Sequence, residues 1–102
     1  MSINKKIKTI ADHFGHESQL HKLREESIET AEAASDYATT LWIENDPLEI
    51  AYYREHLIEE MADEHIMIMQ MIYLMEADEE FKKQVDAKIE RTLHRIETGY
   101  YA

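Results

Sequence analysis

Two pairs of acidic side chains stand at a spacing that suits metal binding. Glu26 and Glu29 form the first pair, and Glu60 and Asp63 form the second. Residues three apart lie on adjacent turns of one helical face, so the carboxylates of each pair can converge on one point. Two such helices packed antiparallel would bring four carboxylates together, where they repel one another unless a divalent cation neutralises them. Hard oxygen ligands select Mg²⁺, or Mn²⁺, over zinc.

The position of these pairs distinguishes them from ordinary surface charge. With 22 acidic residues in the chain, pairs at this spacing also arise on solvated helix faces. However, Thr30 and Ala31 follow Glu29, and Asp63 lies just before the apolar run that begins at Ile66. Both pairs therefore border the expected core, which favours a functional role.

The composition restricts the class of protein. The chain has 102 residues, a net charge of −11, 44% hydrophobic residues, two glycines, one proline and no cysteine. Its length fits one domain over residues 1–102, and its many helix formers predict an all-α fold. The absence of cysteine excludes disulfides, thiolate metal sites and cysteine nucleophiles.

The charge and hydropathy bear on partners and location. A strongly negative chain repels nucleic acid polymers and anionic membranes. No stretch reaches the roughly 18 apolar residues of a membrane span. We therefore expect a soluble, cytoplasmic protein.

Four helices must position the acidic pairs. The pattern predicts a short first helix over residues 1–13 and a second helix that is capped by Ser18 and ends near Leu41. Apolar and small residues mark the expected core face of the second helix: Leu20, Leu23, Ser27, Ala31, Ala34, Ala38 and Leu41.

The second half of the chain predicts two more helices. Asp46 and Pro47 are typical of a helix start, and the third helix can run from there to about Glu76. Asp78 is expected to cap a fourth helix, which ends before Gly99.

One segment of the third helix is apolar on almost every face. It runs from Ile66 to Met75 with the sequence IMIMQMIYLM. A small monomer lacks enough other helices to surround such a segment. We therefore predict a homo-oligomer with part of the third helix in its interface, although a buried central helix or an adaptable Met-rich binding groove would also fit.

The acidic motifs resemble those of a known family. Glu25–Glu29 (EESIE) and Glu60–Asp63 (EMAD) resemble the ExxE and ExxD signature of the MazG-like, all-α nucleoside triphosphate pyrophosphohydrolases. The flanking runs FGHESQLHKLREESIE and IEEMAD strengthen the resemblance, which covers Phe14 to Arg95. The spacer of 30 residues between Glu29 and Glu60 is longer than usual in the family, and the excess is expected at the Asn45-Asp46-Pro47 turn, where an insertion costs little.

The resemblance implies a fold and a reaction. The fold is a four-helix MazG-like bundle completed by oligomerisation, as a homodimer or homotetramer. The reaction is Mg²⁺-dependent cleavage of a nucleoside triphosphate between its α and β phosphates, which yields a monophosphate and pyrophosphate. Glu26, Glu29, Glu60 and Asp63 would hold the metal and carry the catalysis.

Three further residues are candidates for binding the nucleotide. Lys88 and Arg91 lie on nearly one face of the fourth helix, with Arg95 beside them. Similar proteins contact the phosphates with such residues, often from the neighbouring subunit. Gln19 precedes the first acidic pair, where similar proteins approach the base.

Two other classes compete with the enzyme. A non-enzymatic acidic helical protein could bind a partner through its Met-rich face or mimic DNA by its charge. A di-iron carboxylate bundle requires Glu-x-x-His motifs, and none of the six histidines completes one.

Overall fold

The computed structural model describes residues 2–44 and 46–101, and within them it contains helices and no strand. The four α-helices are α1 (Ile3–Phe14), α2 (His16–Thr39), α3 (Pro47–Leu74) and α4 (Asp78–Glu97). A π-helical segment, Thr40–Glu44, extends α2. The predicted all-α, four-helix organisation is confirmed. Met1, Asn45 and Ala102, which the sequence analysis placed in the first helix, the 45–47 turn and the domain, lie outside the described residues.

The starts of α2 and α3 follow from local chemistry. The Asp46 side chain accepts a hydrogen bond of 3.0 Å from the backbone N–H of Leu48, and Pro47 is the first helical residue, so the predicted start of α3 is confirmed. The prediction that Ser18 caps α2 is wrong, because Gly15 occupies that position at φ +88°. Glycine adopts this conformation without steric cost, so α2 begins immediately after α1 ends.

The join between α3 and α4 is tighter than predicted. The backbone N–H groups of Glu76 and Ala77 donate to the carbonyls of Tyr73 and Ile72, which closes α3 at Leu74 instead of Glu76. Ala77 therefore serves as the N-cap of α4, and the prediction that Asp78 caps it is wrong. The predicted end of α4 before Gly99 is confirmed.

The α2 and α3 helices form an antiparallel pair. The side chain of Gln19 bonds to that of Gln70 near the start of α2, whereas Thr30 bonds to the backbone of Glu60 further along it. Residue numbers rise along α2 while the numbers of their partners on α3 fall, so the two helices run antiparallel. This packing brings the two acidic motifs to the same level along the helix pair.

The buried face of α2 is not the predicted one. The residues of α2 that are buried are Gln19, Glu26 and Ala33, spaced by seven. Of the predicted core stripe, Leu23 and Ser27 are partly buried, whereas Leu20 and Leu41 are each 50% exposed. Gln19 and Glu26, together with Ala33, therefore take buried positions that the predicted stripe did not include.

The remaining helices pack unequally on α3. The α1 helix lies against the C-terminal half of α3, where it buries Ile7 and Ala11 and covers part of the Met-rich segment. Met67 and Met71 of that segment are buried within the chain. In contrast, α4 contains no buried residue and contacts only α3 among the described helices. None of the described helices has an apolar stretch long enough to cross a membrane.

Candidate metal centre

Three of the four predicted carboxylates meet between α2 and α3. Each of Glu26, Glu60 and Asp63 offers one oxygen atom, and these atoms all lie within 4.8 Å of one another. Glu26 comes from α2, and the other two come from adjacent turns of α3. The antiparallel packing thus brings together three of the four carboxylates that the spacing predicted to meet.

Burial separates this cluster from a solvated acidic patch. Glu26 is only 6% exposed, and the side chain of Glu60 is 14% exposed. One oxygen of each, Oε2, is buried without a hydrogen-bond partner in the described structure. A buried carboxylate oxygen without a partner costs free energy, because it has lost its water. Such an oxygen is suited to a cation.

Thr30 fixes the two helices at this level. Its hydroxyl lies 2.9 Å from the backbone carbonyl of Glu26 and 3.1 Å from that of Glu60. The hydroxyl therefore bridges Glu26 on its own helix and Glu60 on α3. This contact holds the two glutamates opposite each other.

Lys22 supplies positive charge at the edge of the cluster. Its Nζ lies 3.2 Å from Oε1 of Glu26 and 3.5 Å from Oε2 of Glu25. The hydrogen bond to Glu26 holds the pKa of Lys22 above its ordinary value, and the charge of Glu25 adds to this. One oxygen of Glu26 is thus paired with an ammonium group while the other is unpaired.

Two further contacts were not anticipated. His56 Nε2 lies 3.9 Å from Oε1 of Glu60, one turn away on the same helix. Ser27 donates a hydrogen bond of 3.3 Å to Oε1 of Glu64. The i, i+4 spacing of His56 and Glu60 was the signal that could have identified the first contact.

Glu29 does not join the cluster. It is exposed and lies outside the group of mutually close oxygens. Thr30, four residues after Glu26, faces α3. Glu29 is adjacent to Thr30 in the helix and is therefore rotated about 100° away from the face that contacts α3. Its role as a ligand stays a prediction from the resemblance.

The predicted nucleotide-binding residues lie in different places. Gln19 is buried, and its amide Nε2 donates to Oε1 of Gln70 at 2.7 Å. It lines an open cleft of about 530 Å³ that also includes Lys22 and Phe14. Lys88 and Arg91 are exposed on α4, and neither forms an ion pair with a carboxylate of the described chain.

The donor set fits a hard divalent cation. All three close ligands are carboxylates, which Mg²⁺ and Mn²⁺ accept, and the cluster lacks the sulfur and nitrogen donors that favour zinc. Two of its oxygens are buried and unpartnered.

Comparison with known proteins finds no family model, no curated protein and no solved structure that matches the chain.

Proposed function

We propose that the protein is a Mg²⁺-dependent nucleoside triphosphate pyrophosphohydrolase, with Mn²⁺ as an alternative metal. The observation that carries this proposal is the pair of buried, unpartnered oxygens of Glu26 and Glu60, with Asp63 close to both. Three clustered carboxylates, two of them with a buried unpartnered oxygen, are poorly suited to a purely structural role, whereas they suit a metal that binds phosphate. The resemblance of EESIE and EMAD to the MazG-like signature supplies the reaction.

The chain's own residues would hold and surround the metal. The buried Glu26 and partly buried Glu60 would each provide one oxygen, and the exposed Asp63 would provide a third; the resemblance adds Glu29 as a fourth ligand. When bound, Mg²⁺ neutralises triphosphate charge and lowers the pKa of a coordinated water that can attack the α phosphate. Thr30 keeps the two ligand-bearing helices in register, so the site is preorganised.

The nucleotide would extend from this cluster along the surface. Gln19 precedes Glu26 by two helical turns, about 10 Å of rise, which suits a base in its cleft while the phosphates lie at the carboxylates. Lys88 and Arg91 would reach the phosphates of a neighbouring copy, as the resemblance implies. Self-association as a homodimer or homotetramer is therefore part of the proposal.

A substrate screen tests the reaction. The protein is incubated with Mg²⁺ and each common NTP and dNTP, and the products are separated. Monophosphate with pyrophosphate is the expected result, whereas diphosphate with orthophosphate would contradict it. Glu60→Gln should abolish the activity. Glu59→Gln is the matched control, because it removes the same charge from an exposed neighbour.

A second candidate is a non-enzymatic helical protein that binds a partner. The exposed apolar residues of α4 favour it, since they suit a protein surface. It predicts no metal dependence and no products from any nucleotide, and it assigns no role to the buried carboxylate oxygens.

A further inference from the structure

The α4 helix carries an apolar stripe that the other described helices leave largely exposed. Phe81, Val85, Ile89, Leu93 and Ile96 lie at spacings of three and four, and they are between 38% and 62% exposed. These spacings place all five on one helical face. In proteins most of the stability of a helix comes from packing of its amphipathic face, so α4 gains stability when another surface covers this stripe.

The size of the exposed surface indicates how much is left uncovered. The chain exposes 8132 Å², whereas a compact monomer of 12.1 kDa exposes roughly 6,000 Å². Its radius of gyration is 17.3 Å, against about 13 Å for a compact chain of 100 residues. The excess of about 2,000 Å² is what one subunit buries in a large, obligate homodimer.

The charges beside the stripe indicate which partner fits. In the second half of α4, Lys88, Arg91 and Arg95 lie to one side of the stripe, and Asp86 and Glu90 lie to the other, which Lys82 and Lys83 share nearer the start of the helix. A second copy of the same helix offers the opposite charges to each edge when the two lie side by side and parallel. An anionic membrane or nucleic acid is repelled by the net charge of −11.

We infer that the α4 stripe is the seam along which a second copy of this chain docks. This places the principal self-contact on α4, and not on the Ile66–Met75 segment that the sequence singled out. The inference rests on exposed apolar area and is independent of the metal. The proposed function also includes self-association, but a mass measured without metal or nucleotide tests the seam without testing the reaction.

Light scattering on the full chain, without metal or nucleotide, tests the seam. The wild type should have a mass of at least twice 12.1 kDa at micromolar concentration. Ile89→Asp should raise the dissociation constant at least about a hundredfold and return the monomer mass. Ala87→Asp is the matched control: two residues along a helix turn by about 200°, so Ala87 lies on the opposite face and its variant should stay associated.

A cross-linking experiment covers the case in which Ile89→Asp misfolds. The chain has no cysteine, so Ile89→Cys and Ala87→Cys are single-cysteine proteins. Ile89 lies near the middle of the stripe and meets its own copy in a parallel pair or in a centred antiparallel one. Oxidation should therefore cross-link the Ile89→Cys protein and leave the Ala87→Cys protein monomeric on a denaturing gel.

Three results would overturn the inference. The first is a wild type that is monomeric at micromolar concentration. The second is equal cross-linking of the two cysteine variants. The third is dissociation by Ile66→Asp, on exposed α3 surface, while Ile89→Asp stays associated, because that would place the seam on α3.

Discussion

The α2–α3 pair and α4 both leave side chains without partners, but the side chains are of opposite kinds. Between α2 and α3, Glu26 and Glu60 each bury one carboxylate oxygen that has no hydrogen-bond partner in the described structure. Along α4, apolar side chains such as Ile89 lie in water. A buried anion requires a cation, whereas an exposed apolar stripe requires another apolar surface. The two regions therefore point to two different partners, one ionic and one proteinaceous.

The largest expected effect tests the ionic region. Glu60→Gln or Asp63→Asn should lower turnover by at least about two orders of magnitude, roughly 2.7 kcal/mol of barrier. The same changes should leave the unfolding free energy of the metal-free protein equal or higher, because they remove one charge from a repelling cluster. Steady-state kinetics and urea unfolding measure the two quantities. A drop in turnover that accompanies unfolding would instead indicate a structural role.

Glu29 sharpens this test, because the resemblance and the geometry disagree about it. The motif makes Glu29 a metal ligand, whereas the structure leaves it exposed and outside the cluster. If three carboxylates suffice, Glu29→Gln should reduce turnover less than Glu60→Gln does. Equal losses would show that Glu29 joins the others when metal and nucleotide bind.

The next effect is stabilisation by the metal itself. Mg²⁺ at ten times its dissociation constant should stabilise the folded state by about 1.4 kcal/mol, because it binds that state selectively. Glu26→Gln should abolish the increase in melting temperature, whereas Ile89→Asp, which alters α4 alone, should retain it. The comparison would fail if the α4 variant lost metal stabilisation as well.

The sequence predicted the helices and the cluster more successfully than it predicted which faces pack. Asp46 and Pro47 start α3 through local bonds, and local bonds are visible in sequence. The buried face of α2 was assigned wrongly, because Gln19 and Glu26 occupy positions that hydropathy reserves for apolar residues. Their burial depends on partners 34 or more positions away, such as Gln70. Periodicity within one helix contains no information about such contacts.

The fourth helix also shows that the sequence of one helix does not reveal which of its faces is covered. On this helix, sequence reasoning singled out the cations Lys88 and Arg91, with Arg95 beside them. Its apolar stripe was assigned no role, because the sequence of one helix does not show which other helices cover it. Only the arrangement of α1, α2 and α3 shows that nothing in the described chain covers Ile89.

A smaller effect concerns the ammonium group beside the cluster. Lys22 neutralises one oxygen of Glu26, so it competes with a metal for that carboxylate. Lys22→Met should therefore tighten Mg²⁺ binding a few-fold in calorimetry. Arg24→Met changes the net charge equally but lies on another face of α2 and forms no described ion pair, so it isolates the local contact. Equal affinities in the two variants would show that Lys22 and the metal use different oxygens.

The smallest expected effect tests how α1 is held to the pair, and it depends on pH. The hydroxyl of Tyr73 donates to both carboxylate oxygens of Asp12, at 2.8 and 2.9 Å. Because only the protonated phenol can donate, this bond holds the pKa of Tyr73 above its ordinary value. A pKa that is raised by folding contributes stability that is fully present below the unfolded value, about 10, and is lost as the pH rises through the folded value.

Tyr73→Phe should therefore lower the melting temperature slightly at neutral pH, and the difference from wild type should shrink as the pH rises above about 10. The effect is small because the pair is accessible to solvent. Tyr101→Phe, beyond α4, is the matched control, since its hydroxyl has no described hydrogen-bond acceptor, and it should not change the alkaline slope. Melting curves between neutral pH and about pH 11 distinguish the two variants. If the wild type and Tyr73→Phe lost stability in parallel throughout this range, the Tyr73–Asp12 bond would not hold α1 to α3. The contrast between α1, which a hydrogen bond attaches to α3, and the more exposed α4 would then weaken.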